Sequence, residues 1–363
     1  MSDTIDWIYS LKAEILYFLT KLKKHDSPGF YNYSLSGDIY SSKAGWGLGN
    51  SVFAAKIYYM LDVVNQIDDS EKISGFIKSF QTDSGEIYDP LIEKKSLPRR
   101  LINSLRQLDF NNISNQQTRR AETRQSFAAL RSLRSKPNIP YKHIPYTKAD
   151  IRKYIQALNW KQPWAAGSHV SHLLFFLNNN RLLFDIHNKN TDDLIDCAFE
   201  IVNNYRQEDG SWYSPGANLP LHFKVNAAMK IMTGYDAAGR DDFLYPKKLI
   251  DLCLSSANDG DACNNFNIIC VLYHCFRKTD YKSDEVKEYC LKKLQTYKKH
   301  YWPEHGGFSF FERRAIDIYY GAKISKGFGE PDIHGTHLFL WGIILITKIL
   351  GFDDKAMLNV PIT

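Results

Sequence analysis

The sequence predicts an all-α protein, a toroid of six helical hairpins or (α/α)6 barrel, in which the whole chain 1–363 forms one domain. Three observations support this class. Strand patterns are scarce while helical periodicity recurs along the chain. Helix-sized segments that are apolar on all sides alternate with amphipathic ones. Several connecting loops also repeat a glycine and an aromatic residue at similar positions.

The helical segments form six pairs, in which an amphipathic member precedes a smaller and more apolar one. The pairs are 4–24 with 46–62, 70–80 with 119–134, 148–159 with 168–178, 191–206 with 219–233, 246–256 with 262–277, and 283–300 with 334–350. A helix that is apolar all round must be buried, so the second members are expected to form an inner ring. The first members then form an outer ring with one wet face.

The predicted inner helices open with polar residues before their apolar stretches. These openings are Gly45–Asn50, Arg120–Gln125, Gly167–His172, Leu221–Asn226, Gly260–Asn265 and His334–His337. Because outer and inner helices alternate, all inner helices should run parallel and begin at one end. Polar side chains and positive helix-dipole ends would meet there, so we expect the functional site at this mouth.

The repeated loops carry a resemblance to a known superfamily. They are Tyr205–Trp212, Phe80–Tyr88, His305–Phe308 and Ser27–Phe30. The stretch Gln207–Trp212 resembles the Q-x-x-D-G-x-W repeat of squalene and hopene cyclases, and Gly306–Phe308 resembles the prenyltransferase repeat. The chain is therefore similar to the terpenoid cyclase and protein prenyltransferase α/α-toroid superfamily. The resemblance implies an enzyme that acts on an isoprenoid or other largely apolar small molecule.

Two acidic motifs of isoprenoid enzymes were sought. No Asp-Asp pair has an Asp two positions before it, so the D-x-D-D acid of class II cyclases is absent. Asp192-Asp-Leu-Ile-Asp196 matches the D-D-x-x-D pattern of class I enzymes. It lies on a predicted outer helix, where acids in the first turn are equally explained by the helix dipole.

The resemblance also implies a zinc site. Prenyltransferase β-like chains hold catalytic zinc with an Asp-x-Cys pair and a later His, which Asp261, Cys263 and His334 resemble here. The two segments open the fifth and sixth inner helices, which should be neighbours. One carboxylate, one thiolate and one imidazole would leave an open zinc position. In the alternative interpretation, Asp261 caps its helix and Cys263 packs in the core.

Other residues at the predicted mouth suit acid–base chemistry and substrate binding. His169, His172 and His337 could act as acid or base beside the carboxylates of Glu122 and Asp332. The predicted substrate-binding residues combine aromatic, cationic and amide groups: Trp46, Arg124, His222, Lys224 and Asn265. Structural roles within the helices explain each of these residues individually as well.

Composition excludes several classes of protein. The formal charge of +6 is spread along the chain without a basic run, which argues against nucleic-acid binding. The start of the chain lacks a signal-peptide pattern, and no apolar stretch reaches the roughly eighteen residues of a membrane span. The six cysteines lack C-x-x-C spacing and are expected to be reduced, which favours the cytoplasm. A second subunit, as in prenyltransferases, is left open.

Two alternatives remain open at this point. A carbohydrate-active (α/α)6 barrel, such as a glycosidase, lyase or epimerase, would use paired carboxylates in an open groove. A non-catalytic binding or scaffold toroid would have a filled barrel and a large exposed apolar patch. An isoprenoid site instead predicts an aromatic-walled interior closed from water.

Overall fold

The computed structural model describes residues 2–107, 117–187, 189–257, 259–352 and 358–363. These ranges are mostly helical, which confirms the predicted all-α class. They contain thirteen α-helices: α1 Ser2–Leu22, α2 Leu48–Met60, α3 Ser70–Lys78, α4 Pro90–Gln107, α5 Gln117–Ser132, α6 Lys148–Gln156, α7 Pro163–Phe184, α8 Thr191–Asn203, α9 Leu221–Ala237, α10 Pro246–Leu254, α11 Ala262–Phe276, α12 Ser283–Lys298 and α13 Ile333–Leu350.

Sheet is confined to two short antiparallel hairpins in this part of the chain. Strand β1, Tyr301–Trp302, pairs with β2, Gly307–Phe308. Strand β3, Ile318–Tyr319, pairs with β4, Ala322–Lys323. The second hairpin lies between α12 and α13 in sequence and contacts α4 through β4.

Every predicted helical segment overlaps a helix of the structure, whereas α4 was not predicted. The segment Pro90–Gln107 has apolar residues, but the side it buries carries Ser96, Arg100 and Ser104 beside one apolar residue, Ile92. Helices were predicted from a periodic apolar face that would be buried. The buried side of this helix is mostly polar, so that pattern did not indicate it.

Helix contacts follow a cyclic order. The helix α2 contacts α5, and contacts continue through α7, α9, α11 and α13, which in turn contacts α2. These six helices are the segments predicted to be apolar on all sides. In α2, for example, twelve of thirteen residues are buried. The amphipathic helices lie outside them: α3 contacts α2 and α5, α10 contacts α9 and α11, and α12 contacts α11 and α13.

The helix α13 is the single helix within the described ranges that is long and apolar enough to cross a membrane. In the structure, 83% of its Ile333–Leu350 window is buried, and it packs against α2, α11 and α12. These contacts identify it as a core helix, so the described ranges contain no clear transmembrane segment.

The repeated loops share one backbone geometry. Their glycines have φ angles of +83°, +85°, +85° and +76° at Gly29, Gly85, Gly210 and Gly306. Residues flanking each glycine form an antiparallel bridge, such as Arg206 with Trp212 and Gln81 with Ile87. A Cβ atom at Gly85 would lie 1.9 Å from the Pro140 carbonyl oxygen, and one at Gly306 would lie 2.1 Å from that of Glu14. The glycines thus permit both the turn and close packing against a neighbouring segment.

Candidate functional site

Side chains of helices that are neighbours in the cyclic order contact one another. The Phe53 ring of α2 stacks on His334 of α13 with centroids 4.5 Å apart. Asn226 of α9 donates from Nδ2 to Oδ1 of Asn264 in α11 at 3.0 Å. Lys56 hydrogen-bonds Gln125 of α5. The ring contacts of His337 with Phe53 and Trp341, and the charge interactions of Arg124 with Lys56 and Lys230, extend this set. Glu122 and Arg124 both act electrostatically on Tyr320. We call the resulting set the central cluster: Phe53, Lys56, Glu122, Arg124, Lys230, His334, His337 and Trp341.

Aromatic rings form much of the wall around the central cluster. Phe53 lies against both His334 and His337, the latter with centroids 5.1 Å apart. Trp341 packs on Phe266 at 4.3 Å. Tyr319 of the β3–β4 hairpin meets Phe53 edge to face at 6.0 Å. An apolar ligand body would find contact area on these rings.

Two buried cations, Lys56 and Arg124, lie near the partly exposed Lys230, whose ammonium group is 4.9 Å from the ring centroid of Trp164. Burial, together with the charge of Arg124, lowers the pKa of Lys56 to about 7 and that of Lys230 to about 8. Burial lowers the pKa of Arg124 itself to about 10. Over the described residues, none of the three is within 4.0 Å of a carboxylate oxygen in an ion pair. Buried charge is costly unless paired, so this region favours an anion.

Glu122 is the carboxyl group of the central cluster. Its Oε2 accepts a hydrogen bond from the backbone N–H of Asp89 at 3.0 Å. Burial, and secondarily the charge of Asp89, raises the pKa of Glu122 well above its usual value. This shift favours the protonated form of the side chain, which can donate a hydrogen bond or a proton.

Several buried polar atoms of this interior have no hydrogen-bond partner among the described residues. They include Glu122 Oε1, Ser126 Oγ, Trp341 Nε1 and both ring nitrogens of His337. An unsatisfied buried polar atom costs about 1–3 kcal/mol. Folded proteins contain few such atoms, and those of His337 and Trp341 belong to rings whose centroids are 5.8 Å apart. They indicate a place for a polar ligand or water.

His169 and His172 lie beside the central cluster in a network around Arg120. The Arg120 guanidinium hydrogen-bonds His169, and its Nε lies 3.4 Å from His172 Nδ1. The Tyr154 hydroxyl is 3.1 Å from His169 Nδ1. Burial, with the charge of Arg120, lowers the pKa of His169 to about 2. The same causes, with Arg124, lower that of His172. Both rings stay neutral at physiological pH.

The predicted zinc ligands do not form a metal-binding set. Helices α11 and α13 are neighbours, as expected. However, Asp261 caps α11 by accepting from the Asn264 N–H at 2.8 Å, and His334 Nδ1 lies 2.9 Å from the Tyr33 hydroxyl. Burial raises the pKa of Cys263 to about 12, which keeps its thiol protonated. The described residues include no group of three His, Cys, Asp or Glu placed to hold a metal.

Asp332 has a structural environment. It caps α13, with Oδ1 accepting from Gly335 N–H at 2.7 Å and Oδ2 accepting from the N–H groups of Phe310 and Ile316. Burial raises the pKa of Asp332 to about 7, and these backbone donors oppose the rise. Its two oxygens are thus engaged in holding the chain around α13.

Four of the five predicted substrate-binding residues lie apart from the central cluster. Trp46 is buried and donates from Nε1 to the Tyr40 carbonyl at 3.0 Å. Lys224 pairs with Asp209 at 3.0 Å. Asn265 donates to the Asp261 carbonyl, and the His222 ring packs on Phe223. Arg124 is the member that lies in the central cluster.

The class I motif has a surface role. Asp192 pairs with Arg181 at 2.9 Å, and Arg240 pairs with both Asp192 and Asp196 at 3.3 and 3.1 Å. These carboxylates are more than half exposed and lie on the outer helix α8. Arginine pairing therefore explains their spacing without a metal.

Sequence reasoning missed Lys56, Lys230 and the β3–β4 hairpin. Tyr320 and Gly321 form the hairpin turn with φ angles of +46° and +87°, and this turn directs Tyr319 against Gly49 of α2. A lysine within the apolar stretch of α2 was the available signal for Lys56. An open depression of about 770 Å³ lies elsewhere, lined by Lys136 and residues 181–185 near the ends of α5 and α7, and it contains no predicted site residue.

The comparisons with known proteins gave no relative for this chain. No family model matches it, and no curated protein or solved structure is significantly similar to it. The likeness to terpenoid cyclases and prenyltransferases accordingly rests on the loop and helix patterns.

Proposed function

We propose that this protein is a cytoplasmic (α/α)6 toroid enzyme that binds a largely apolar substrate with an anionic group at its central cluster. The cyclic order of helix contacts and the four shared loop geometries support the toroid. All six cysteines are free thiols, which supports a reducing compartment. The observation that carries the proposal is the set of partnerless polar atoms enclosed among aromatic rings and buried cations.

The residues of the central cluster and its aromatic wall indicate an apolar body and an anionic group for the proposed substrate. Phe53, Phe266 and Trp341 would contact its apolar body, as isoprenoid chains require. Lys56, Arg124 and Lys230 would bind its anionic group, because an anion offsets the cost of burial that lowers their pKa values and the repulsion by Arg124 that adds to it for the two lysines.

Glu122 and His337 would carry proton transfer. Protonated Glu122 would act as the acid through Oε1, and neutral His337 would accept a proton at a ring nitrogen. Burial, with the charge of Lys56, lowers the pKa of His337. A bound anion next to Lys56 would counter that repulsion and make the imidazole a better base.

The alternatives fit the geometry less completely. A glycosidase needs two free carboxyl groups, yet Asp261 and Asp332 both cap helices. A scaffold would explain the exposed apolar residues of α4 but not the buried partnerless atoms of the interior.

Thermal unfolding with three probes tests the proposal: farnesyl diphosphate, inorganic diphosphate and farnesol. Farnesyl diphosphate should raise the melting temperature of the wild type most, because it alone satisfies both the cations and the rings. The shift should disappear in Arg124→Met and persist in Arg152→Met, since Arg152 is exposed on the outer helix α6.

Turnover would be followed by mass spectrometry of products. Glu122→Gln should retain the melting shift and lose product formation, because the amide preserves the shape but cannot donate a proton from a carboxyl group. A shift with a glucuronate disaccharide alone would favour the carbohydrate alternative. No shift with any probe would favour the scaffold alternative and overturn the proposal.

A further inference from the structure

Helix α4 presents apolar side chains to solvent. The exposed fractions are 42% for Leu97, 43% for Leu101, 50% for Ile102 and 62% for Leu105. These four residues, which we call the α4 apolar face, follow the i, i+4, i+5, i+8 spacing of one helix side. Large apolar side chains clustered on one exposed face indicate an interaction surface.

The helix contacts the protein through a different and mostly polar side. Ser96, Arg100 and Ser104 are buried there together with Ile92. The Arg100 guanidinium donates within the helix to the carbonyl and carboxylate of Glu93, both at 3.2 Å, and Glu93 pairs with Arg119 of α5 at 3.2 Å. The four residues of the α4 apolar face are not among those that α4 buries against the protein.

Exposed cations border the α4 apolar face. Lys94, Lys95, Arg99 and Arg106 are all exposed. The single acidic residue of the helix, Glu93, pairs with Arg100 and Arg119. A helix with leucines on one side and Lys and Arg along its edges has the composition of an interfacial membrane helix.

The surface continues beyond α4 toward the end where the inner helices begin. The β3–β4 turn adjoins α4, because a Cβ at Gly321 would lie 3.3 Å from the Arg99 side chain. Ile318 of this hairpin and the nearby Ile39 and Phe328 are exposed to 37%, 45% and 56%. The Ile39 N–H donates to the Ile324 carbonyl, which joins that loop to the hairpin.

We propose that the α4 apolar face docks on an anionic lipid bilayer, with the leucines entering the headgroup boundary and the cations meeting lipid phosphates. The positive charge around the α4 apolar face favours a lipid bilayer over a second copy of the chain. In a two-fold contact between copies of this chain, the same four cations would face each other and repel, whereas an anionic membrane surface attracts them. Docking would hold the site end of the protein at the membrane. The inference does not depend on the proposed chemistry.

Vesicle flotation tests this docking. The full chain should float with phosphatidylcholine vesicles that contain phosphatidylglycerol, and flotation should fall at high salt and with phosphatidylcholine alone. The double variant Leu101→Glu, Leu105→Glu should bind at least about tenfold more weakly, because two charges would enter the apolar boundary. Leu182→Glu is the matched control, since Leu182 is 56% exposed near the C-terminal end of α7.

Circular dichroism would establish that the double variant folds, which is expected because these leucines are exposed. Flotation of the double variant equal to that of the wild type would overturn the proposal. The proposal would also be overturned if the wild type did not bind vesicles but formed a dimer that the double variant did not form. That result would show that a second copy of the chain covers the α4 apolar face. The probes and variants differ from those of the ligand test, so either proposal can fail alone.

Discussion

At the scale of one residue, the burial of Lys56 destabilises the folded protein. It lies on α2, is only 3% exposed, and has Gln125 as its hydrogen-bond partner. Burial is the main reason that its pKa falls from 10.5 to about 7. The folded state therefore holds the lysine proton less tightly than the unfolded state does, and the difference is a cost of folding.

Replacing Lys56 with methionine should stabilise the protein in a pH-dependent way. Because the folded pKa is depressed, the unfolded state binds more protons between about pH 7 and 10.5, and the cost of the lysine shrinks as pH rises through this window. Lys56→Met should therefore raise the melting temperature by about 2 °C or more at pH 6, and by less at pH 9. Differential scanning calorimetry at both values measures the difference.

The control for this variant is Lys153→Met, at an exposed position on α6, which should leave the melting temperature nearly unchanged at either pH. Equal gains for Lys56→Met at pH 6 and pH 9 would show that the lysine is not held in its neutral form. The stabilised variant should also lose anion binding, since it gives up a cation of the central cluster.

At this scale the sequence predicted some members of the central cluster. Glu122, Arg124 and His337 were recognisable because polar residues at the start of an apolar helix face inward with it. Lys230 was not, since a lysine on an apolar helix usually extends its ammonium group to water. Asp261 and Asp332 also fit the helix-cap pattern, and only their hydrogen bonds in the folded chain distinguish capping from catalysis.

At the scale of the element, the repeated loops explain why glycine recurs. Gly85 and Gly216 both have positive φ angles, +85° and +74°. They differ in their surroundings, because a Cβ at Gly85 would meet the Pro140 carbonyl whereas one at Gly216 would meet nothing within 4 Å. Comparing substitutions at these two glycines therefore distinguishes the cost of backbone strain from the cost of a steric clash with a neighbouring segment.

Substitution of each glycine by alanine should therefore have unequal effects. Gly216→Ala is expected to cost about 1 kcal/mol of unfolding free energy, from the left-handed backbone alone. Gly85→Ala should cost clearly more, because the chain before α6 must also move away. Urea unfolding measures both values. Equal costs would mean that the Gly85 loop yields without strain and that its close contact is not structural.

Elements with periodic apolar faces were predictable, and those held by polar contacts were not. The helices α2, α7 and α13 bury most of their residues, so their apolar composition identified them. The β3–β4 hairpin has two residues in each strand, too few for an alternating pattern. The helix α4 buries serines and an arginine, and its identity as a helix depends on tertiary context.

For the whole molecule, the cyclic contacts join distant parts of the chain. The helices α2 and α13 are neighbours in space, and Asn359 near the C-terminus donates from its backbone to the Met60 carbonyl at 2.9 Å. Each inner helix is covered by two inner neighbours, so none can leave without exposing apolar surface on both. We expect the inner helices to open together as one cooperative unit.

Hydrogen exchange followed by mass spectrometry should show which helices open least readily. Backbone amides of α7, α9 and α13 should exchange slowest, because these helices are buried inside the ring of contacts. Amides of α4 should exchange much faster, since that helix is attached by a polar side and turns its apolar face to water. Anionic vesicles should slow α4 selectively. Protection of α4 equal to that of α13 without vesicles would contradict this order of stability and imply a partner already covering its leucines.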